Sequence, residues 1–200
     1  MSSTADLVAR VSPHAVKAEI CRRSLFAFVK EFWGVIIDEE PVYNWHIPVI
    51  CNELGTLLWH VICRHPKPYD LVINVPPGTT KTTLCSVMFP AWAWVARLPR
   101  GYDPAVEATW ARRGGVDPRP GGADLRFITG SYAADIARKP SSLARDIIRS
   151  DRYRNYFPEI RLRDDQDAKS DYSNTLKGSR FTTSVGARVT GTHAHIQIID

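Results

Sequence analysis

The segment Pro76-Pro77-Gly78-Thr79-Thr80-Lys81-Thr82-Thr83 sets a glycine, a lysine and a run of hydroxyls side by side. A nucleotide's phosphates need these groups together: backbone N–H donors on a tight loop, a mobile cation, and a hydroxyl for a hard metal such as Mg2+. Lys81 is placed to reach the outer phosphates, and Thr82 to ligate the metal. Pro77, Gly78, Thr79, Thr80 and Thr83 complete the cradle. A second candidate is Ile196-Gln197-Ile198-Ile199-Asp200, an apolar run that closes on an acid. A buried strand ending in a carboxylate can order the same Mg2+. The same pattern also describes any apolar strand ended by a capping Asp.

The flanking elements suit these roles. Leu71-Val72-Ile73-Asn74-Val75 is a short β-branched run and reads as a strand buried in a parallel sheet. Leu84 to Ala96 is apolar nearly all round and reads as a buried helix. Strand, loop and helix are the first half of a βαβ unit. Upstream, Ser12-Pro13 is a helix start, followed by Leu25, Phe28, Val29, Phe32 and Trp33 at helical spacing and a stop near Gly34. Asn44 opens another helix, striped from Ile47 to Ile62 and stopped by Pro66 and Pro68. Downstream, Leu125–Thr129 reads as a strand, Ala133–Ser150 as a helix, and DRYRNYFPEI as a turn with aromatic anchors. Phe181–Ser184 and His195–Asp200 complete the strand candidates. Residues 100–123, rich in Gly, Pro and Arg, read as an exposed, mobile insertion.

Composition narrows the class. The chain has 200 residues, 44% apolar and 24% charged, and its 20 aromatic residues, six of them Trp, supply material for a sizeable core. That excludes a disordered tail, a collagen-like fibre and a coiled coil. No apolar run reaches the ~18 residues of a membrane span, and the N-terminus has no apolar signal core. The net charge of +5 permits a polyanionic partner. Cys21, Cys51, Cys63 and Cys85 lie apart, without CxxC and without a histidine at a zinc spacing, and read as reduced thiols.

The loop departs from the consensus GxxxxGK[ST]: Thr80 precedes the lysine where Gly is usual, and Val75 stands at the first Gly. Even so, PPGTTKTT, FITGSYAADIA, SDRYRNYFPEI and YSNTLKGSRFTTSVGARVTGTHAHIQIID, in that order, resemble the ATPase domain of tailed-phage large terminase subunits. The resemblance spans about Phe28 to Asp200, less the insertion. It implies an α/β fold of the ASCE P-loop NTPase type, a parallel sheet flanked by helices. A helical region would occupy residues 1–68 and the front of the ATPase domain residues 69–200. It implies ATP and Mg2+ as cofactors, with Lys81 and Thr82 in the Walker A roles and Asp200 as the first Walker B acid. Trp45 and His46 would lie near the nucleotide base. Ser131-Tyr132, Asn174, Gly178, Arg180, Gly186, Thr190 and Gly191 match further family positions. The family's catalytic Glu and nuclease domain would lie beyond Asp200, so the ATPase domain is expected to be incomplete at its C-terminus. The implied activity is ATP-driven packaging of double-stranded DNA. The implied partners are that DNA, a portal protein, a small terminase subunit and further copies of the chain, in the host cytoplasm. A helicase-like P-loop ATPase and an inactive prophage remnant are the alternatives.

Other constellations are weaker. His193 and His195 form an HxH pair without an evident third ligand and read as packing or surface residues. Asp164-Asp165-Gln166-Asp167 lacks Ca2+-loop spacing and reads as a solvated loop. Arg149, Arg152, Arg154, Arg161 and Arg163 form a basic cluster suited equally to DNA phosphates or to surface ion pairs. Ser131 lacks a nucleophile elbow, which excludes a hydrolase triad.

Overall fold

Ser12 accepts the Ala15 N–H on its side chain, and Pro13 opens α1 (Pro13–Arg23). This computed structural model describes residues 12–99, 103–112, 121–168, 171–184, 186–187 and 191–200. The sequence suggests one helix running on to Gly34, but Ser24 breaks it. Its backbone is extended, and its hydroxyl accepts the Ala27 N–H at 3.2 Å. That makes Ser24 the N-cap of α2 (Leu25–Phe32), which ends in a 3-10 turn at Trp33–Val35. The new helix buries Leu25, Phe28, Val29 and Phe32 on one face. Helix α3 (His46–Cys63) follows, entered through the Asn44 carbonyl and not through its side chain. It closes at Arg64 in the left-handed region, φ 60°.

The expected strand at 71–75 is absent from the sheet. The segment is extended and alternates half-buried with exposed, and Val72 is 86% exposed. No described strand pairs with it. Leu71 and Ile73 instead pack their side chains on the core. The buried helix after the loop is present, but its first part is wound as a π-helix, Thr83–Met88, before α4 (Phe89–Ala93). Pro90 gives a physical reason. Proline has no N–H, and its ring collides with the carbonyl four residues back, here Ser86. Widening the turn removes the collision. The Ser86 carbonyl then accepts from Arg180 Nη2 at 2.7 Å.

Residues 100–123 are not wholly an exposed insertion. Pro104–Arg112 form α5, capped by the buried Asp103. Gly121 bridges to Arg97, and the Gly122 N–H donates to the Ala96 carbonyl. The remaining part, 100–102 and 113–120, lies outside the described residues.

Among the described residues, five strands follow with two helices among them: β1 (Arg126–Ser131), α6 (Ala134–Arg149), α7 (Asp151–Tyr156), β2 (Leu162–Asp167), β3 (Asp171–Asn174), β4 (Ser179–Ser184) and β5 (Ile196–Ile199). The sheet order is β2-β3-β4-β1-β5. The chain is therefore α/β with helices against a mixed sheet, and the all-parallel expectation is corrected. β1 runs parallel to β4 and to β5, but β2–β3 and β3–β4 are antiparallel. The acidic 164–167 run is not a loop but most of edge strand β2. Its charges suit an edge, where apolar alternation would invite pairing with another chain.

DRYRNYFPEI likewise begins as a helix, α7, and not as a turn. Tyr153, Tyr156 and Phe157 pack with Phe28 and Phe32; the Phe28–Phe32 centroids are 4.4 Å apart and Tyr153–Phe157 5.0 Å. Each such pair contributes roughly 0.5–1.5 kcal/mol beyond its buried area. The polar ends of the buried rings are satisfied. Tyr153 donates to the Ala91 carbonyl and Trp92 to the Cys21 carbonyl. The Trp92 bond fixes α1, and the Tyr153 bond fixes α7, against the helix that follows the loop.

Candidate functional site

The 76–80 loop is shaped by two left-handed residues, Gly78 (φ 79°) and Thr80 (φ 64°). Thr79 Oγ1 donates back to the Pro76 carbonyl at 2.6 Å, which tightens the turn. Lys81 starts the helix, and the Leu84 N–H closes its first turn on the Thr80 carbonyl at 2.9 Å. The N–H groups of a first helical turn have no intrahelical acceptor, and the positive dipole end lies there. Thr82 is exposed on that turn, and Thr83 is half-buried.

Lys81 and Asp200, remote in sequence, meet here. Lys81 Nζ lies 3.8 Å from Asp200 Oδ1, with the two side chains 40% and 19% exposed. The parallel pairing of β5 with β1 carries Asp200 to this point, and its N–H donates to the Gly130 carbonyl at 3.0 Å. The buried Ser86 hydroxyl donates to Asp200 Oδ2 at 3.1 Å. Ser86 therefore links Asp200, through its hydroxyl, to Arg180, through its carbonyl. Sequence reasoning assigned Ser86 no role. Its signal was its position, five residues after the loop lysine and four before Pro90 on one helix.

Of the upstream pair, His46 is at the loop: its Nε2 lies 3.2 Å from the Thr79 carbonyl. Trp45 stands beside it, with ring centroids 6.1 Å apart, and is 79% exposed. Cys85 lies next to the acid. Burial first, then the Asp200 charge, push its thiol up to about 12 against a smaller opposing effect of Lys81. It is an uncharged packing group there.

The donor types fit a magnesium-bound polyphosphate: a lysine and a carboxylate meet at a helix start whose first turn also carries an exposed threonine. A cleft of about 960 Å3 opens beside them between the 71–75 segment and β5. Leu54, Leu58, Ile73, Phe89 and Ile198 line it, and Lys81 and Asp200 border it. Lys67, Tyr69, Asp70, His193 and His195 also line it, so the cleft is mixed, and the loop's phosphate chemistry lies at its Lys81–Asp200 border.

Of the remaining candidates, His193 and His195 line the same cleft. His195 Nδ1 accepts the Arg126 N–H at 3.1 Å and so packs β5 on β1. Most of the basic cluster is engaged locally. Arg149 pairs with Asp167, Arg163 with Asp165, Arg152 bonds the Glu31 carbonyl, and Arg161 the Pro158 carbonyl. Asn174 shapes the β3–β4 turn by accepting the Leu176 and Gly178 N–H groups. Thr190 lies outside the described residues. No described helix is long and apolar enough to cross a membrane.

No family model, curated protein or solved structure matches this chain.

Proposed function

We propose that this chain binds Mg2+–ATP at the 76–83 loop and is the ATPase portion of a DNA-packaging motor of the large-terminase type. The observation that carries the nucleotide reading is the meeting of Lys81 and Asp200 at 3.8 Å beside a helix start. Lys81 takes the outer phosphates and so leaves Asp200. Thr82 and Asp200 hold the metal, Asp200 kept in place by Ser86. The loop N–H groups bind phosphate oxygens, and Trp45 with His46 faces the base. The bound Mg2+ supplies charge neutralisation on the phosphates. The packaging role, with double-stranded DNA, a portal, a small subunit and further copies of the chain as partners in the host cytoplasm, rests on the ordered sequence resemblance.

Calorimetry with Mg2+–ATP on the wild type and Lys81→Ala tests the nucleotide reading. Loss of a charge-assisted contact of roughly 1.5–3 kcal/mol lowers affinity at least about tenfold. Equal affinity in the two proteins refutes the assignment.

A further inference from the structure

A second constellation lies away from the loop, at the C-terminal end of α3. Cys63 is the last residue of that helix. Arg64 turns left-handed, its N–H donates to the Val61 carbonyl, and the His65 N–H returns to the His60 carbonyl at 2.9 Å. This closure satisfies the last carbonyls of the helix and brings residue 65 back beside residue 63. Asp103 arrives from the far side, ahead of α5. It is 8% exposed, and its Oδ1 accepts the N–H groups of Ala105 and Val106 at 2.9 and 3.0 Å. Its other oxygen lies 3.0 Å from His65 Nε2. The Cys63 sulfur, a ring nitrogen of His65 and a carboxylate oxygen of Asp103 all lie within 4.8 Å of one another.

We propose that Cys63, His65 and Asp103 bind one transition-metal dication of the zinc class, with the fourth tetrahedral position open. The donor types select the metal. Thiolate and imidazole suit Zn2+ and its neighbours, whereas Mg2+ and Ca2+ take oxygen ligands. The spacing fits as well. Zinc–ligand bonds of 2.0–2.3 Å place tetrahedral donor atoms roughly 3.3–3.8 Å apart. The three groups need only small side-chain rotations to reach that. Charge agrees: a thiolate, a carboxylate and a neutral imidazole balance a dication. The carboxylate is held in advance by the two backbone N–H groups that it caps, so binding does not have to order it. Arg64, the neighbouring cation, pairs with Asp124 at 3.2 Å, and the Asp103 carboxylate faces His65. A further imidazole stands beside the group: the His60 ring is 6.1 Å from that of His65, and its buried Nδ1 has no hydrogen-bond partner. A bound ion would tie α5 to the end of α3. The cysteine spacing alone hid the site, because its third ligand comes from a separate stretch of chain.

The test uses the reduced, chelator-stripped 200-residue chain. Zn2+ is titrated against a chromophoric competitor, and Co2+ is followed by its thiolate-to-metal absorption. One equivalent of each is expected, and Cys63→Ser should abolish the cobalt–thiolate band and weaken Zn2+ at least about a hundredfold. Asp103→Asn keeps the helix cap and should weaken binding by a smaller factor. Cys85→Ser should change nothing. Alkylation mapped by mass spectrometry needs no variant: Zn2+ should protect Cys63 and leave the labelling of Cys85 unaltered. Absence of stoichiometric binding, a cobalt–thiolate band that survives Cys63→Ser, or equal alkylation of Cys63 with and without Zn2+ overturns the proposal.

Discussion

Thr80 sits where a phosphate-binding loop ordinarily has glycine, and its φ of 64° shows why glycine would suit. A side chain in the left-handed region costs roughly 1–2 kcal/mol. Glycine escapes that cost but adds freedom to the unfolded chain, worth about 0.5–1 kcal/mol. Thr80→Gly also loses the short hydroxyl contact to the Thr79 carbonyl. The comparison that isolates the backbone is Thr80→Gly against Thr80→Ala, since both lose that hydroxyl. At an ordinary helical φ, alanine is the more stable by about 0.5–1 kcal/mol. Here the order should invert, with Thr80→Gly the more stable by about 0.5–1 kcal/mol. Urea denaturation resolves this: with a slope near 2 kcal/mol/M, the midpoints differ by about 0.25–0.5 M. If Thr80→Ala matches or exceeds Thr80→Gly, the left-handed assignment at residue 80 is wrong, and so is the loop shape built on it.

Gly178→Ala should destabilise by about 2–3 kcal/mol. A Cβ there would press on the Ala123 carbonyl and come within 2.5 Å of Asn174 Nδ2 and 2.8 Å of Trp94 Nε1; an unchanged urea midpoint would refute that packing. His195 makes stability depend on pH, because its Nδ1 accepts the Arg126 N–H only when unprotonated. Burial first, then the Arg64 and Arg126 charges, hold its pKa below the ordinary value. The folded state thus takes up its proton later than the unfolded chain. The stabilisation is full above about pH 6.5 and is lost as the pH falls through the lowered value. His195→Ala should flatten the fall in melting temperature on the acid side; an unaltered slope counts against it. Tyr153→Phe should cost about 1 kcal/mol by leaving the buried Ala91 carbonyl unpaired, and thermal melts with no difference would reject this.

The sequence pattern was most legible where one face alone is buried or where a cap is present. Ser12, the α3 stripe and the helix over 134–149 agree with the structure because periodicity and capping are local. Ser24 was missed because the apolar spacing continues across it, although a serine at that point is itself a cap signal. β2 carries almost no apolar side chains, so its pairing is set by β3 and not by pattern. Leu71–Val75 carries every β signal but has no neighbour to pair with; propensity selects an extended backbone and cannot supply a partner. At the site, the loop and Asp200 were readable as motifs, and their approach was an expectation from order along the chain. Ser86 and Arg180 act through a carbonyl that Pro90 leaves free, and that is visible only after the helix is wound.

The π-helical turn also lets the helix hold one residue more than an α-helix of the same length. Each α-helical residue advances about 100° around the axis, but the wide turn takes up the extra residue locally. Lys81 and the buried face of Phe89–Ala93 therefore keep the relative direction that an α-helix one residue shorter would give them. A one-codon deletion within Thr83–Met88 would return the turn to α and leave the lysine aimed close to where it is. The same deletion would bring the Pro90 ring back against the carbonyl four residues before it. Substitutions in the same turn keep the count and with it that clearance. Over this short stretch, chain length carries information that residue identity does not.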